Sequence, residues 1–446
     1  MAESMELCTI DGIPLGNPEP KPDKSREELR KERFIPASVP YHQSDLQGVM
    51  YDFTYGARVM LVKDSGQTKK LHCIISDEDM GIVLLDAALK EGVCLCTVKK
   101  YYIRYRVDVF DEETRERLWG TVMDLEDRDV LINMPYKGAV GDSIAWFSFV
   151  ERFQRKHKAR IHVLLPPHIR EMFEPSYPDI TFETPESANA KPMYAVYYMG
   201  LYFGGDVDWQ PVDFRLVGLA ETAGRILGLE DLSEQPPRVR FGSSRVDGKY
   251  VVVATQASNH AKHWCNPFGW YQLVKYLTKC GYKVVCIDRE PVVPGPPDSG
   301  VVHAIPNGCV DMTGTWPLSE RVNVIHHADF FVGLSSGLSW VAWCCDVPVV
   351  LISGICMPFG EFHTPYRVQS YHSCHGCWND TRCEFSHTDF MWCPRHKGTP
   401  RAYECTTTIT AKAVADTIAR IPGTLCTGKS FIEVMDSEIP KVDPAG

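Results

Sequence analysis

Residues 249–258, KYVVVATQAS, decide the fold. Tyr250 to Ala254 form an apolar run without alternation, which predicts a strand covered on both faces, and the polar loop that follows does not read as a hairpin turn. Next come GWYQLVKYLTKCGY (269–282), with helical spacing, and KVVCIDRE (283–290), another buried run. ERVNVIHHA, DFFVGLSS, GLSWVAWCC and VPVVLISG then repeat helix, strand, helix, strand, and TAKAVADTIARI (410–421) adds a final helix. Such alternation predicts a parallel sheet flanked by helices.

The same grammar runs once upstream. DVLINMP (129–135) is a strand-length apolar run, YKGAVGDS (136–143) a Gly-containing turn, and IAWFSFVERFQRKH (144–157) spaces Ile144, Phe147, Val150 and Phe153 as one helix face. RIHVLLP and YAVYYMG read as further buried strands, with a helix at VGLAETAGRILGLE. Between the two units, EQPPRVRFGSSRVDG (234–248) carries the Pro and Gly of a domain boundary. We therefore expect two Rossmann-like domains, 126–245 and 246–446. Ahead of them, YYIRYRVDVF (101–110) alternates, with Ile103, Tyr105, Val107 and Val109 on one face and Arg104, Arg106 and Asp108 on the other. This predicts a β-rich accessory module over 46–125, suited to assembly or docking. Residues 1–45, polar and rich in Pro and charge, read as a mobile arm.

The chain has 446 residues and a net charge of −10, with no block of Lys and Arg that would mark a nucleic-acid surface. No window of about 18 apolar residues would span a bilayer, and the first residues lack the basic start of a signal peptide. A cytoplasmic, membrane-free protein is expected. Many of its 17 cysteines lie inside apolar runs, where a thiol acts as a small hydrophobe.

Ligands of parallel α/β sheets bind at the carboxyl ends of the strands, and four segments there carry chemistry. In the first, Asp142 sits at or near a helix N-cap; it either caps the helix or presents a carboxylate to an attacking hydroxyl, with Gly138 and Gly141 leaving room for an acceptor. In the second, ATQASNHAKHW (254–264), Thr255 and Gln256 can donate hydrogen bonds and Lys262 can bring an ammonium to an anionic ligand, unless Lys262 is a solvated loop lysine. The third, Gly333 to Gly337, matches G-x-S-x-G on a strand-to-helix turn. It is either a serine hydrolase elbow with Ser335 as nucleophile, or a diphosphate-binding helix start through Ser335, Ser336, Gly337, Leu338 and Ser339. The fourth is HSCHGCWNDTRC (372–383). Its Cys374 and Cys377 form a CxxC knuckle that Cys393 and Cys405 can complete as a tetrahedral thiolate site, in a finger at about 363–405, with Cys383 spare. Spacing alone suggests a structural metal, with zinc as the guess. No helix N-terminus follows Cys374, so a thioredoxin-like redox role is disfavoured.

Two such units around a cleft, one with a phosphate turn and one with a carboxylate loop, describe a GT-B glycosyltransferase. The segments GDSIAWF, QASNHAKHW, DMTGTWPLSERVNVIHHADFFVGLSSGLSWVAW and CHGCWND…WCPRH…ECTTTIT resemble the bacterial autotransporter heptosyltransferases over residues 48–422. The resemblance implies transfer of heptose from ADP-heptose to serine hydroxyls of an autotransporter adhesin, in the cytoplasm, by single displacement. It implies Asp142 as general base, Lys262 on the donor phosphates, and Ser335, Ser336 and Gly337 as the nucleotide-diphosphate turn. It also implies one structural iron per chain in place of zinc, and a large homo-oligomer assembled through the β module and arm. Lipopolysaccharide heptosyltransferases usually have an Asp-Thr-Gly turn followed by His; here Ser335-Ser336-Gly337 and Trp340 stand instead, which favours the protein-modifying branch over a lipopolysaccharide core enzyme. Asp288 or Glu290 is the expected ribose contact.

Overall fold

The computed structural model describes residues 34–203, 207–296, 299–386 and 388–436. Both apolar grammars form parallel sheets. In the first unit the strand order is Thr181–Glu183, Arg160–Leu164, Asp129–Asn133, Ala195–Tyr198. In the second it is Val310–Asp311, Lys283–Cys286, Tyr250–Val253, Phe331–Leu334, Val349–Ile352, Arg367–Val368. Every residue of Tyr250–Val253 and Phe331–Leu334 is buried, as continuous apolar strands with helices on both faces require.

One predicted helix is two. Val140–Phe147 ends at Ser148, whose hydroxyl donates to the Ala145 carbonyl at 2.7 Å, and Val150–His157 begins after the fully buried Phe149. The side-chain bond offers the backbone an alternative to helix continuation, and the break lets Phe149 turn inward.

The N-terminal module consists of two antiparallel four-stranded sheets. One orders His42–Gln43, Val49–Asp52, Arg58–Leu61 and Cys94–Cys96; the other orders Val83–Leu89, Leu71–Asp77, Tyr105–Asp111 and Arg117–Val122. Tyr105, Val107 and Val109 are buried as the alternation predicts, whereas Ile103 precedes the strand and is half-buried. The module also covers an edge of the first parallel sheet. Phe53 bridges to Ala195, its N–H donating to Tyr194 O at 2.9 Å and its carbonyl accepting from Val196 N–H at 3.2 Å. An edge left bare would present unpaired backbone groups to other chains.

The expected arm is shorter than its composition suggested. Phe34 is buried against Leu131, Leu164 and Val196, and the Arg58 guanidinium, paired with the fully buried Asp52, also donates to Ala37 O at 2.7 Å. An aromatic residue and a buried ion pair thus hold residues 34–45 to the body, while residues 1–33 lie outside the described residues. Among the described residues, no helix is long and apolar enough to cross a membrane.

Candidate functional site

The carboxyl ends of both sheets open onto one cavity of about 470 Å³ between the units. Two helix starts meet there. A Cβ on Gly141 would lie 2.6 Å from Trp340 Cδ1, and one on Gly337 would lie 2.7 Å from Val140 Cβ, so both positions tolerate only hydrogen. The room expected at Gly141 for an acceptor is therefore taken by the Trp340 indole, which packs the two units together.

Asp142 does not cap its helix. Ala139 is the N-cap, without a side-chain cap bond, and Asp142 is the third helical residue. Its carboxylate lines the cavity and makes no hydrogen bond among the described residues. Burial raises its pKa above the ordinary carboxylate value, and the positive charge of Lys262 opposes that rise. Lys262 ends a short 3₁₀ turn, His260–Lys262, capped by the Asn259 side chain, which accepts from Ala261 N–H at 2.9 Å. Its ammonium stands 5.9 Å from the centroid of the Trp378 ring. A half-buried, unpartnered carboxylate facing an ammonium is an arrangement that can take a proton on one side and hold an anion on the other.

The remaining loop residues divide into lining and support. Thr255 is buried, and its N–H and hydroxyl donate to Asp288 at 2.8 and 2.7 Å; Gln256 N–H adds a third bond at 3.2 Å. Asp288 borders the cavity but is fully buried, with its oxygens engaged in holding this loop. Burial also raises its pKa, against those hydrogen bonds. Gln256 lines the cavity and donates its amide to the Glu290 carbonyl, while Glu290, itself outside the lining, pairs at 3.7 Å with Arg289, which lines the cavity.

Ser335, Ser336, Gly337 and Leu338 all line the cavity; Ser339 is buried and donates to Leu334 O at 2.6 Å, a supporting role. The Ser335 hydroxyl bonds Ser353 at 3.0 Å, and Ser353 donates to Glu361 at 2.9 Å. This chain ends at Arg367, which pairs with Glu361, so Ser335 bonds another hydroxyl where a hydrolase triad needs an imidazole. The Ser336 hydroxyl at the helix start is buried and unpartnered, leaving a donor for a ligand.

The sequence reading did not assign Trp378, which sits beside Cys377 in the cysteine-rich segment and reaches the same cavity. It packs on Phe203, Phe214 and Phe385. An aromatic residue next to a knuckle cysteine was the available signal. Cys374, Cys377, Cys393 and Cys405 all border one void of about 10 Å³, and Cys383 does not. The group here whose donor atoms all fall within 4.8 Å is Cys374, His396 and Glu404, not the four thiols. All four cysteines are free thiols, and the Arg395 guanidinium lies 3.5 Å from Cys374 Sγ. This donor set fits a thiophilic metal.

Residues 46–113 match the family "Glycosyltransferase TibC, N-terminal domain", and residues 224–383 match "Glycosyltransferase family 9 (heptosyltransferase)". The chain is 44% identical over 385 residues to autotransporter heptosyltransferase Aah of Escherichia coli, covering 86% of this chain and 95% of that protein. It superposes on a crystal structure of TibC, described as a dodecameric iron-containing heptosyltransferase in complex with ADP-D-beta-D-heptose. The TM-score is 0.81 at 42% identity, over 88% of this chain and all of that one. A third relative, BimC of Burkholderia thailandensis, described as an inactive autotransporter heptosyltransferase, is 34% identical over 88% of this chain and 90% of its own length. With identities at this level across nearly the whole length, the chain belongs to the autotransporter heptosyltransferase family.

Proposed function

We propose that this protein is a GT-B glycosyltransferase that transfers heptose from ADP-heptose to serine hydroxyls of an autotransporter adhesin. The observation that carries the reading is Asp142: a half-buried carboxylate with no hydrogen-bond partner among the described residues, facing Lys262 in the cavity between two helix starts. In a single displacement, Asp142 takes the proton of the acceptor serine as its oxygen attacks the anomeric carbon. Lys262 offsets the charge left on the departing ADP, helped by the free Ser336 hydroxyl and the backbone N–H groups at the start of Gly337–Trp343.

Cys374, Cys377, Cys393 and Cys405 would hold one iron, supplying a cross-link to a polar segment whose Trp378 forms part of the cavity wall. The N-terminal module and the residues before it would serve a large homo-oligomer, as in TibC, itself dodecameric. A lipopolysaccharide acceptor is less well supported, because the full-length relatives are autotransporter enzymes.

An inactive relative at 34% identity makes turnover the decisive measurement. Intact-mass analysis of an adhesin fragment co-expressed with this protein should show heptose-sized increments, which Asp142→Asn should remove. Unmodified adhesin alongside the wild-type protein, with ADP-heptose present in the cell, would refute the reading.

A further inference from the structure

Beside the cavity, three imidazoles converge from two separate segments. His260 and His263 belong to the turn that carries Lys262; His303 comes from the strand Val302–Ala304, paired antiparallel with Val292–Pro294 and opposite Val293. One ring nitrogen from each lies within 4.8 Å of the others.

The details suit a metal. His260 Nδ1 and His303 Nε2 are 3.2 Å apart, close to the roughly 3.3 Å edge of a tetrahedron with metal–nitrogen bonds of about 2.0–2.1 Å. His263 Nδ1 donates to the Asn259 carbonyl at 3.1 Å, which fixes the tautomer and leaves Nε2 as the acceptor nitrogen; among the described residues its lone pair takes one hydrogen bond, a long 3.3 Å one from Ala257 N–H that a metal would displace. A backbone carbonyl on the second ring nitrogen is the usual support of a metal-bound histidine. Burial lowers the pKa of His303, of His260 to about 4 and of His263 to about 3, so all three are neutral and able to coordinate at neutral pH. His263 and His303 stack with centroids 3.5 Å apart, so loading requires these rings to splay; the half-exposed strand bearing His303 can supply that movement.

We propose that His260, His263 and His303 form a second metal site, separate from the cysteine finger, that takes one divalent transition ion of the zinc class. Imidazole donors select zinc, nickel or copper over magnesium and calcium, which prefer oxygen.

Equilibrium dialysis of the purified full-length protein against zinc, followed by elemental analysis, tests this. One zinc per chain should load beyond the metal of the finger, and His303→Ala should abolish that equivalent while the finger keeps its own. Cobalt(II) gives an independent readout: the extra ion should add visible d–d bands without near-ultraviolet thiolate-to-metal absorption. His303 is the first target because its strand is half-exposed, and His263→Gln is the second variant, with melting curves checking that both fold. No ion beyond the finger, an extra ion that survives both substitutions, or one that brings thiolate absorption would overturn the proposal.

Discussion

Asp142 and Asp288 both border the same cavity, and burial raises the pKa of both, yet they are opposites in chemistry. Asp288 follows the strand Lys283–Cys286 of the second unit and accepts three bonds from Thr255 and Gln256, so it works as a buttress for the loop that leads to Lys262. Asp142 lies in the first turn of a helix of the first unit and accepts none among the described residues. A fully buried carboxylate such as Asp288 needs its hydrogen bonds, whereas the half-buried Asp142 keeps its acceptor sites open to the cavity. A raised pKa therefore does not by itself identify a reactive acid; the number of unfilled acceptor sites separates the two.

Asp142→Asn is the sharpest way to break that comparison. Loss of a positioned base should lower heptose transfer by about two to four orders of magnitude, measured by single-turnover kinetics. The same change should leave the melting temperature equal or higher at neutral pH. A carboxyl whose folded pKa is raised stabilises the fold below its ordinary range, and that contribution is lost as pH rises through the raised value, so a neutral amide removes the penalty. Near wild-type transfer in a folded Asp142→Asn protein would return this residue to the ranks of structural carboxylates.

Lys262→Ala should come next, with transfer lower by about two to three orders of magnitude, the usual effect of removing one donor from a developing anion. It should also move the acidic limb of the pH–rate profile upward. Lys262 holds the Asp142 pKa down, so without it the base protonates at higher pH. A limb that stays in place would show that the two groups do not sense each other.

Asp288→Asn should have the smallest effect on chemistry and a clear one on the fold. An amide keeps one acceptor but turns a donor towards Thr255 or Gln256, which costs about 1–3 kcal/mol for the buried group left unpaired. Denaturant unfolding should register that loss, with transfer falling mainly through a higher KM as the loop bearing Lys262 loosens. Full stability with abolished turnover would instead make Asp288 the reacting group.

Much of this was legible in the chain, and for a local reason. Whether a strand is covered on both faces, or a helix on one, is written in the spacing of apolar residues a few positions apart, so KYVVVATQAS and DVLINMP announced their parallel sheets. Other readings missed because their outcome was set by distant contacts. Ser148 and Phe149 broke a helix whose apolar spacing looked continuous. Phe34 found a pocket among Leu131, Leu164 and Val196 that the composition of the arm did not announce. Gly141 made room for Trp340 of the other unit, not for a substrate.

Taken alone, the sequence determined the two strand-loop-helix units, the loops that carry Asp142, Lys262 and the Ser335-Ser336-Gly337 turn, and the four cysteines that border one void. Only the tertiary structure decided which cavity carboxylate is left without a partner, that Trp378 lines the cavity, and that His303 meets His260 and His263 from about forty residues away. The periodicity of a segment reflects neighbours within one or two turns. The filling of a hydrogen-bond site and the convergence of donor atoms depend on which distant segments the packed sheets bring together.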